Sequence, residues 1–129
     1  MKILIVEDNP ANMKLASNLL KKNGYEVLKA VDAETGIDIA RKQLPDLILM
    51  DIQLPGMDGL AATGILKEDP ATMNIPVIAL TAFAMKGDEE KMLGAGCDGY
   101  IPKPIRYKEF LDTISTLLNR PDTPAGVQV

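Results

Sequence analysis

Short runs of apolar residues alternate with helix-period patterns from one end of the chain to the other, the arrangement expected of β/α units built around a parallel sheet. Five runs read as strands: Ile3 to Val6, Glu26 to Ala30, Leu47 to Met50, Val77 to Leu80 and, more weakly, Gly99 to Ile101. "ILIV", "LILM" and "VIAL" are apolar at every position rather than at alternate ones. A strand of that kind has both faces covered, which places it inside a sheet with helices above and below.

The helical patterns lie between these runs. The last is the clearest: Phe110, Leu111, Ile114, Leu117 and Leu118 form one stripe at helical spacing. The first, about 11–23, repeats Met13, Ala16, Leu19 and Leu20 and is ended by Asn23-Gly24. The second, about 33–43, has a stripe of Ala33, Ile37, Ala40 and Leu44, with Asp32 placed to cap it. The third, about 59–67, contains Gly64, which costs ~1 kcal/mol against alanine and is expected to permit close packing. The fourth lies within "AMKGDEEKMLGAG", where Met85, Met92 and Leu93 make a poor stripe diluted by Gly87, Gly94 and Gly96. It is the segment expected to be least stable and easiest to displace. Its charge run, Lys86 to Lys91, reads as a solvated helix face.

Composition narrows the function. The chain has 129 residues, 47% of them hydrophobic and 25% charged, which suits one domain with a real core. A formal net charge of −4, with fourteen Lys and Arg scattered along the chain, argues against a nucleic-acid surface. The single cysteine, Cys97, has no internal disulfide partner, and with no histidine the chain lacks ligands for a structural zinc site. Cys97 reads as a small buried thiol. The first residues pass from "ILIV" straight to Glu7-Asp8, too soon for a signal peptide, and no run approaches the ~20 apolar residues of a membrane span. The expectation is a soluble cytoplasmic domain over 1–119, followed by a flexible tail, 120–129, with two prolines and no periodicity.

Ligand sites in open parallel α/β sheets collect outside the carboxyl ends of the strands. Here strand one leads into Glu7-Asp8, strand three into Asp51, strand four into Thr81, and strand five into Pro102-Lys103-Pro104. Asp51, at the end of an apolar run, is costly to bury unless it is paired or bound to metal. Carboxylates about 5 Å apart repel by ~3 kcal/mol at an effective dielectric near 20. A hard dication relieves that repulsion, and Mg²⁺ suits a few carboxylates with water or phosphate oxygens in its other positions. Glu7, Asp8 and Asp51 fit this role, with Lys103 as a fixed positive charge opposite. Taken singly, each acid is also accounted for by helix capping or by solvent; it is their convergence on one rim that points to a site. Thr81 is equally at home as a β-branched strand residue, and Tyr100 as a half-buried strand aromatic.

The chain from about residue 1 to 119 resembles the receiver domain of bacterial two-component response regulators. The resemblance is carried by "VEDN" after strand one, "LILMDIQLPGMDG" around Asp51, "ALTA" at Thr81 and "DGYIPKP" with Lys103, and "TAFAMKGDEEK" is similar to stand-alone receivers and those of hybrid kinases. It implies a flavodoxin-like, doubly wound sheet of five parallel strands in the order 2-1-3-4-5 with five helices. It further implies a phosphorelay switch with Asp51 as phosphoacceptor, fed by a sensor histidine kinase or histidine phosphotransfer protein. By the same resemblance Mg²⁺, for which Mn²⁺ can substitute, is held by Glu7, Asp8, Asp51 and the backbone carbonyl of Gln53. Thr81, the backbone N–H of Ala82 and Lys103 contact the phosphoryl group, Thr81 and Tyr100 form a switch pair, and Lys103-Pro104 is a cis bond. Gln53 and Phe83 tune dephosphorylation, and an α4–β5–α5 surface changes to alter contact with a downstream protein.

Two other classes compete. A Mg²⁺-dependent phosphohydrolase with an aspartyl nucleophile would share the rim of acids, but such enzymes place a second acid two residues after the nucleophile, where this chain has Gln53. A flavodoxin-like cofactor binder would need a Gly- or Ser/Thr-rich phosphate loop after strand one, and "EDNP" is not one.

Overall fold

In a computed structural model, residues 1–82 and 86–119 are described, Lys86 by its backbone alone. The five strands are β1 (Lys2–Val6), β2 (Glu26–Ala30), β3 (Leu47–Asp51), β4 (Val77–Thr81) and β5 (Gly99–Pro102). They form one parallel sheet in the order β2-β1-β3-β4-β5. Between and after them run α1 (Pro10–Lys22), α2 (Ala33–Gln43), α3 (Gly59–Glu68), α4 (Lys86–Gly94) and α5 (Tyr107–Leu118). This is the flavodoxin-like architecture expected, with strand ends shifted by about a residue. The expected tail, 120–129, together with Phe83 and Met85, lies outside the described residues.

Strand alternation divides the core into two layers. Leu4, Val6, Ile48, Met50, Val77 and Ala79 face α2, α3 and α4. Ile3, Ile5, Leu47, Leu49, Ile78 and Leu80 face α1 and α5, where Phe110 and Ile114 are fully buried. The three central strands are thus apolar on both faces, which is why their sequences show no alternation.

Local chemistry sets the helix ends. Asn9 Oδ1 accepts from the N–H groups of Ala11 and Asn12, with Pro10 in the first turn. Asp32 caps α2 through Thr35 N–H at 2.7 Å, as its position predicts. Asp58 does the same for α3 through Ala61 N–H. Two expectations need correction. Leu44 is not part of the buried stripe of α2: it sits past the helix end with φ 45°, half exposed, where the chain turns out of the helix. Gly64 does not serve close packing, since a Cβ there would meet open space. The tight approaches are made by Gly36, whose Cβ would come within 2.7 Å of Val6, and by Gly59, whose Cβ would strike the carbonyl oxygen of Asp51. Cys97 is buried, its Sγ 4.0 Å from the Thr63 hydroxyl, and burial, more than anything else around it, pushes its pKa up.

Candidate functional site

Four chain segments deliver the rim. Glu7 follows β1 and is fixed by its N–H donating to Ala30 O at 3.0 Å. Asp51 ends β3 opposite Leu80, and the next residue, Ile52, donates its N–H to the Leu80 carbonyl. Thr81 ends β4, fully buried. Lys103 follows β5, and its N–H donates to Thr81 O at 2.7 Å; the Lys103–Pro104 bond is cis. The start of α3 presses on the same point, because Gly59 without a side chain lies against Asp51 and Ile52 and donates its N–H to Ile52 O.

Carboxylate oxygens of Glu7, Asp8 and Asp51 all lie within 4.8 Å of one another. Asp8 is exposed, whereas Glu7 and Asp51 are 1% and 2% accessible. Lys103 Nζ stands 3.0 Å from Glu7 Oε1 and 3.0 Å from Asp51 Oδ2. It donates a hydrogen bond to the Asp51 oxygen. The other oxygens are held by backbone: Gln53 N–H to Asp51 Oδ1 at 2.9 Å, and Asn9 N–H to Glu7 Oε2 at 3.1 Å. Glu7 Oε1 is sealed from solvent, and its contact with Lys103 at 3.0 Å is an ion pair.

The electrostatics follow. Burial raises the Glu7 carboxyl above its usual range, the neighbouring Asp51 carboxyl adds to the rise, and the Asn9 N–H and Lys103 pull against it. Burial alone would lower Lys103, but Glu7 and Asp51 outweigh it and its pKa stands above the ordinary lysine value. Three carboxylates around one ammonium leave two negative charges when all are ionised, which one divalent cation would balance. The sealed Glu7 oxygen, held only by its ion pair with Lys103 among the described residues, and the all-oxygen donor set fit Mg²⁺.

The sequence matches the response regulator receiver domain family over residues 3–115. This chain is a response-regulator receiver. The receiver is 51% identical over 116 residues to the polar-differentiation response regulator DivK of Brucella anthropi, covering 90% of this chain and 94% of that one. It is equally similar to the Brucella ovis DivK, over the same shares. Among solved structures, the receiver domain of sensor histidine kinase PA1611 from Pseudomonas aeruginosa superposes with a TM-score of 0.86 at 36% identity, over 92% of this chain and 98% of that one; it carries a magnesium ion in its active-site cleft. A CheY-like receiver domain protein from Methanospirillum hungatei matches with a TM-score of 0.83 at 31% identity, over 91% and 92% of the two chains. The receiver is therefore a signalling protein, a switch worked by phosphorylation, and its acidic cluster is compatible with Mg²⁺.

Glu7, Asp8, Asp51 and Lys103 are gathered into one cluster, and Thr81 closes the neighbouring strand end. Gln53 and Ala82 lie exposed beside it. Tyr100 is set further back, half-buried on β5 opposite Ala79. Because Tyr100 pairs with Ala79, and Ala79 and Thr81 are two apart on β4, Tyr100 and Thr81 share one face of the sheet. The sequence reading missed two positioning features, Gly59 and the Asn9 N–H on Glu7. "MDG" before α3 gave a signal for the first, since Asp58 marks a helix start and the glycine follows it.

Proposed function

We propose that the receiver accepts a phosphoryl group on Asp51 from a phosphohistidine of a sensor kinase or phosphotransfer protein. The observation that carries this reading is the Lys103 ammonium set 3.0 Å from each of two carboxylates that are otherwise buried, Asp51 and Glu7. An Asp51 oxygen forms the new P–O bond as the P–N bond of the donor breaks, the electron pair returns to the imidazole, and the product is an acyl phosphate. Glu7, Asp8, Asp51 and the backbone carbonyl of Gln53 would hold Mg²⁺, with Mn²⁺ as a substitute. When bound, the ion supplies charge neutralisation for the phosphoryl oxygens, which is most of what this reaction asks of a protein. Lys103 pairs with a phosphoryl oxygen, and Thr81 and the Ala82 N–H donate to others.

Thr81 and Tyr100 then act as the switch pair: as the threonine is drawn to the phosphoryl group, the ring turns inward past Ala79. Support comes from their common face and from α4, which buries only Met92 among its described side chains. The affected surface is α4–β5–α5, which contacts a downstream protein. Slow autodephosphorylation, tuned at position 53 and at Phe83, resets the switch. The functional unit is residues 1–119. It works in the cytoplasm, without direct DNA contact; among the described residues no helix is long and apolar enough to cross a membrane.

The test is incubation with a small-molecule phosphodonor and Mg²⁺, followed over time by intact mass. One phosphoryl group per chain that then decays supports the switch. Continuous turnover of a generic phosphate ester without stoichiometric labelling would overturn it in favour of a phosphohydrolase.

A further inference from the structure

Thr63 lies on α3, back from the rim, and is fully buried. A hydroxyl taken out of water needs partners, and this one has two of different kinds. Its Oγ1 donates to the carbonyl of Gly59, one turn back in the helix, at 2.8 Å. A carbonyl only accepts, so the hydroxyl proton is committed there and the lone pairs of the oxygen are left for the thiol of Cys97, whose Sγ lies 4.0 Å away. Cys97 is itself fixed by its N–H, which donates to Met92 O at 3.1 Å. The thiol thus sets the side on which the hydroxyl sits, and Gly59 sets the direction of its proton.

Gly59 is the residue through which α3 touches the strand that carries Asp51. Its N–H donates to Ile52 O at 3.3 Å, and no Cβ would fit between it and the backbone of Asp51 and Ile52. Just beyond, the Gln53 N–H holds Asp51 Oδ1 at 2.9 Å. A shift of Gly59 is therefore passed to the peptide that carries the Asp51 side chain and to the N–H that orients its carboxylate. Asp58 already caps α3 through Ala61 N–H, so the helix does not need Thr63 in order to start. A hydroxyl bonded to the carbonyl one turn back tends to bend a helix rather than strengthen it. Here the bend falls on the turn that presses on Asp51.

We propose that Thr63 is a positioning residue for phosphoryl transfer: its hydroxyl, oriented by Cys97, sets the first turn of α3 so that Gly59 holds Asp51 and Gln53 in the geometry for attack. It does so without touching the phosphoryl group or the metal. If the hydroxyl were only satisfying itself inside a helix, its loss would cost stability alone. The kinetic consequence rests on the reading of Asp51 as phosphoacceptor; the structural consequence does not.

The test compares Thr63→Val, which keeps the branched shape and removes the hydroxyl, with Thr63→Ser, which keeps the hydroxyl. Ile114→Val, on the buried face of α5, supplies a loss of stability remote from the rim. All are confirmed folded by circular dichroism and ranked by urea midpoint. In metal-free protein, the Gln53 amide resonance is expected to move in Thr63→Val and to stay in place in Thr63→Ser and Ile114→Val. Cys97→Ala, which removes the second contact of the hydroxyl, should move it in the same direction by less, and serves in place of Thr63→Val if that variant does not fold. With a small phosphodonor and saturating Mg²⁺, labelling followed by intact mass should slow about three- to tenfold in Thr63→Val and stay within about twofold of wild type in Thr63→Ser, since small misplacements of reacting atoms cost rate steeply. An unmoved Gln53 amide, labelling at the wild-type rate, a rate loss that serine does not rescue, or an equal loss in Ile114→Val would each overturn the positioning role. If the wild type itself takes no label, the phosphoacceptor reading falls, and the Gln53 amide alone decides whether Thr63 sets the loop.

Discussion

Lys103 Nζ lies 3.0 Å from Asp51 Oδ2, and the same atom lies 3.0 Å from Glu7 Oε1, so that one lysine compensates two carboxylates brought to the rim by different strands. Replacing it removes the only cation beside them among the described residues and leaves their charges buried. Lys103→Met is expected to lower unfolding free energy in metal-free buffer by about 1–3 kcal/mol, the range for stranding a partly shielded charge. Urea denaturation checks this, and added Mg²⁺ should recover more of the variant's stability than it adds to the wild type.

The buried Glu7 carboxylate beside Asp51 gives a second expectation, of opposite sign. Glu7→Gln removes a charge held against Asp51 while leaving Lys103 paired, so the metal-free variant should match or exceed the wild type in melting temperature. The wild type should gain stability from Mg²⁺ by mass action, ~2.7 kcal/mol at about 100 times the Kd, and the variant much less. Thermal melts with and without the ion distinguish the two; equal Mg²⁺ shifts would remove Glu7 from the metal set.

One substitution at two glycines separates tertiary from local effects. At Gly64 a Cβ meets open space in a helix, so Gly64→Ala should stabilise by ~0.5–1 kcal/mol. At Gly59 the same methyl would stand 2.7 Å from Ile52 Cα as well as against the Asp51 carbonyl. Gly59→Ala is therefore expected to destabilise by about 1–3 kcal/mol and to slow phosphoryl uptake by displacing Asp51. Denaturant midpoints and labelling rates report both.

These glycines show where the sequence was legible. The three central strands could be read because burial on both faces writes itself as unbroken apolar runs, and the rim because polar residues end or follow four of the five strands. Asp32 as a cap was readable because capping is local. Which glycine is pressed against a neighbour was not, since that depends on where α3 meets β3, set by residues far from either. Leu44 misled for a related reason: helical spacing extends its stripe by one turn, but the backbone has already left the helix there. Nor does any local pattern bring Lys67 to Asp98, thirty-one residues on, or the Asn9 N–H back to Glu7.

Burial raises the pKa of Cys97, so its thiolate is scarce at neutral pH. Alkylation by iodoacetamide should be slow in the native protein and rapid in urea. Because the folded value lies above the unfolded one, the linked stability is present below the ordinary thiol range and is lost as pH rises through the raised value. Melting temperature should accordingly fall on moving to strongly alkaline buffer, and less so in Cys97→Ala.

The central claim is that Asp51, made tolerable by Lys103 and reactive by its place on the rim, takes the phosphoryl group. Wild type and Asp51→Asn, both confirmed folded, are incubated with a small phosphodonor and Mg²⁺ and compared by intact mass. One phosphoryl group is expected on the wild type and none on the variant; equal incorporation in both would contradict Asp51 as the acceptor.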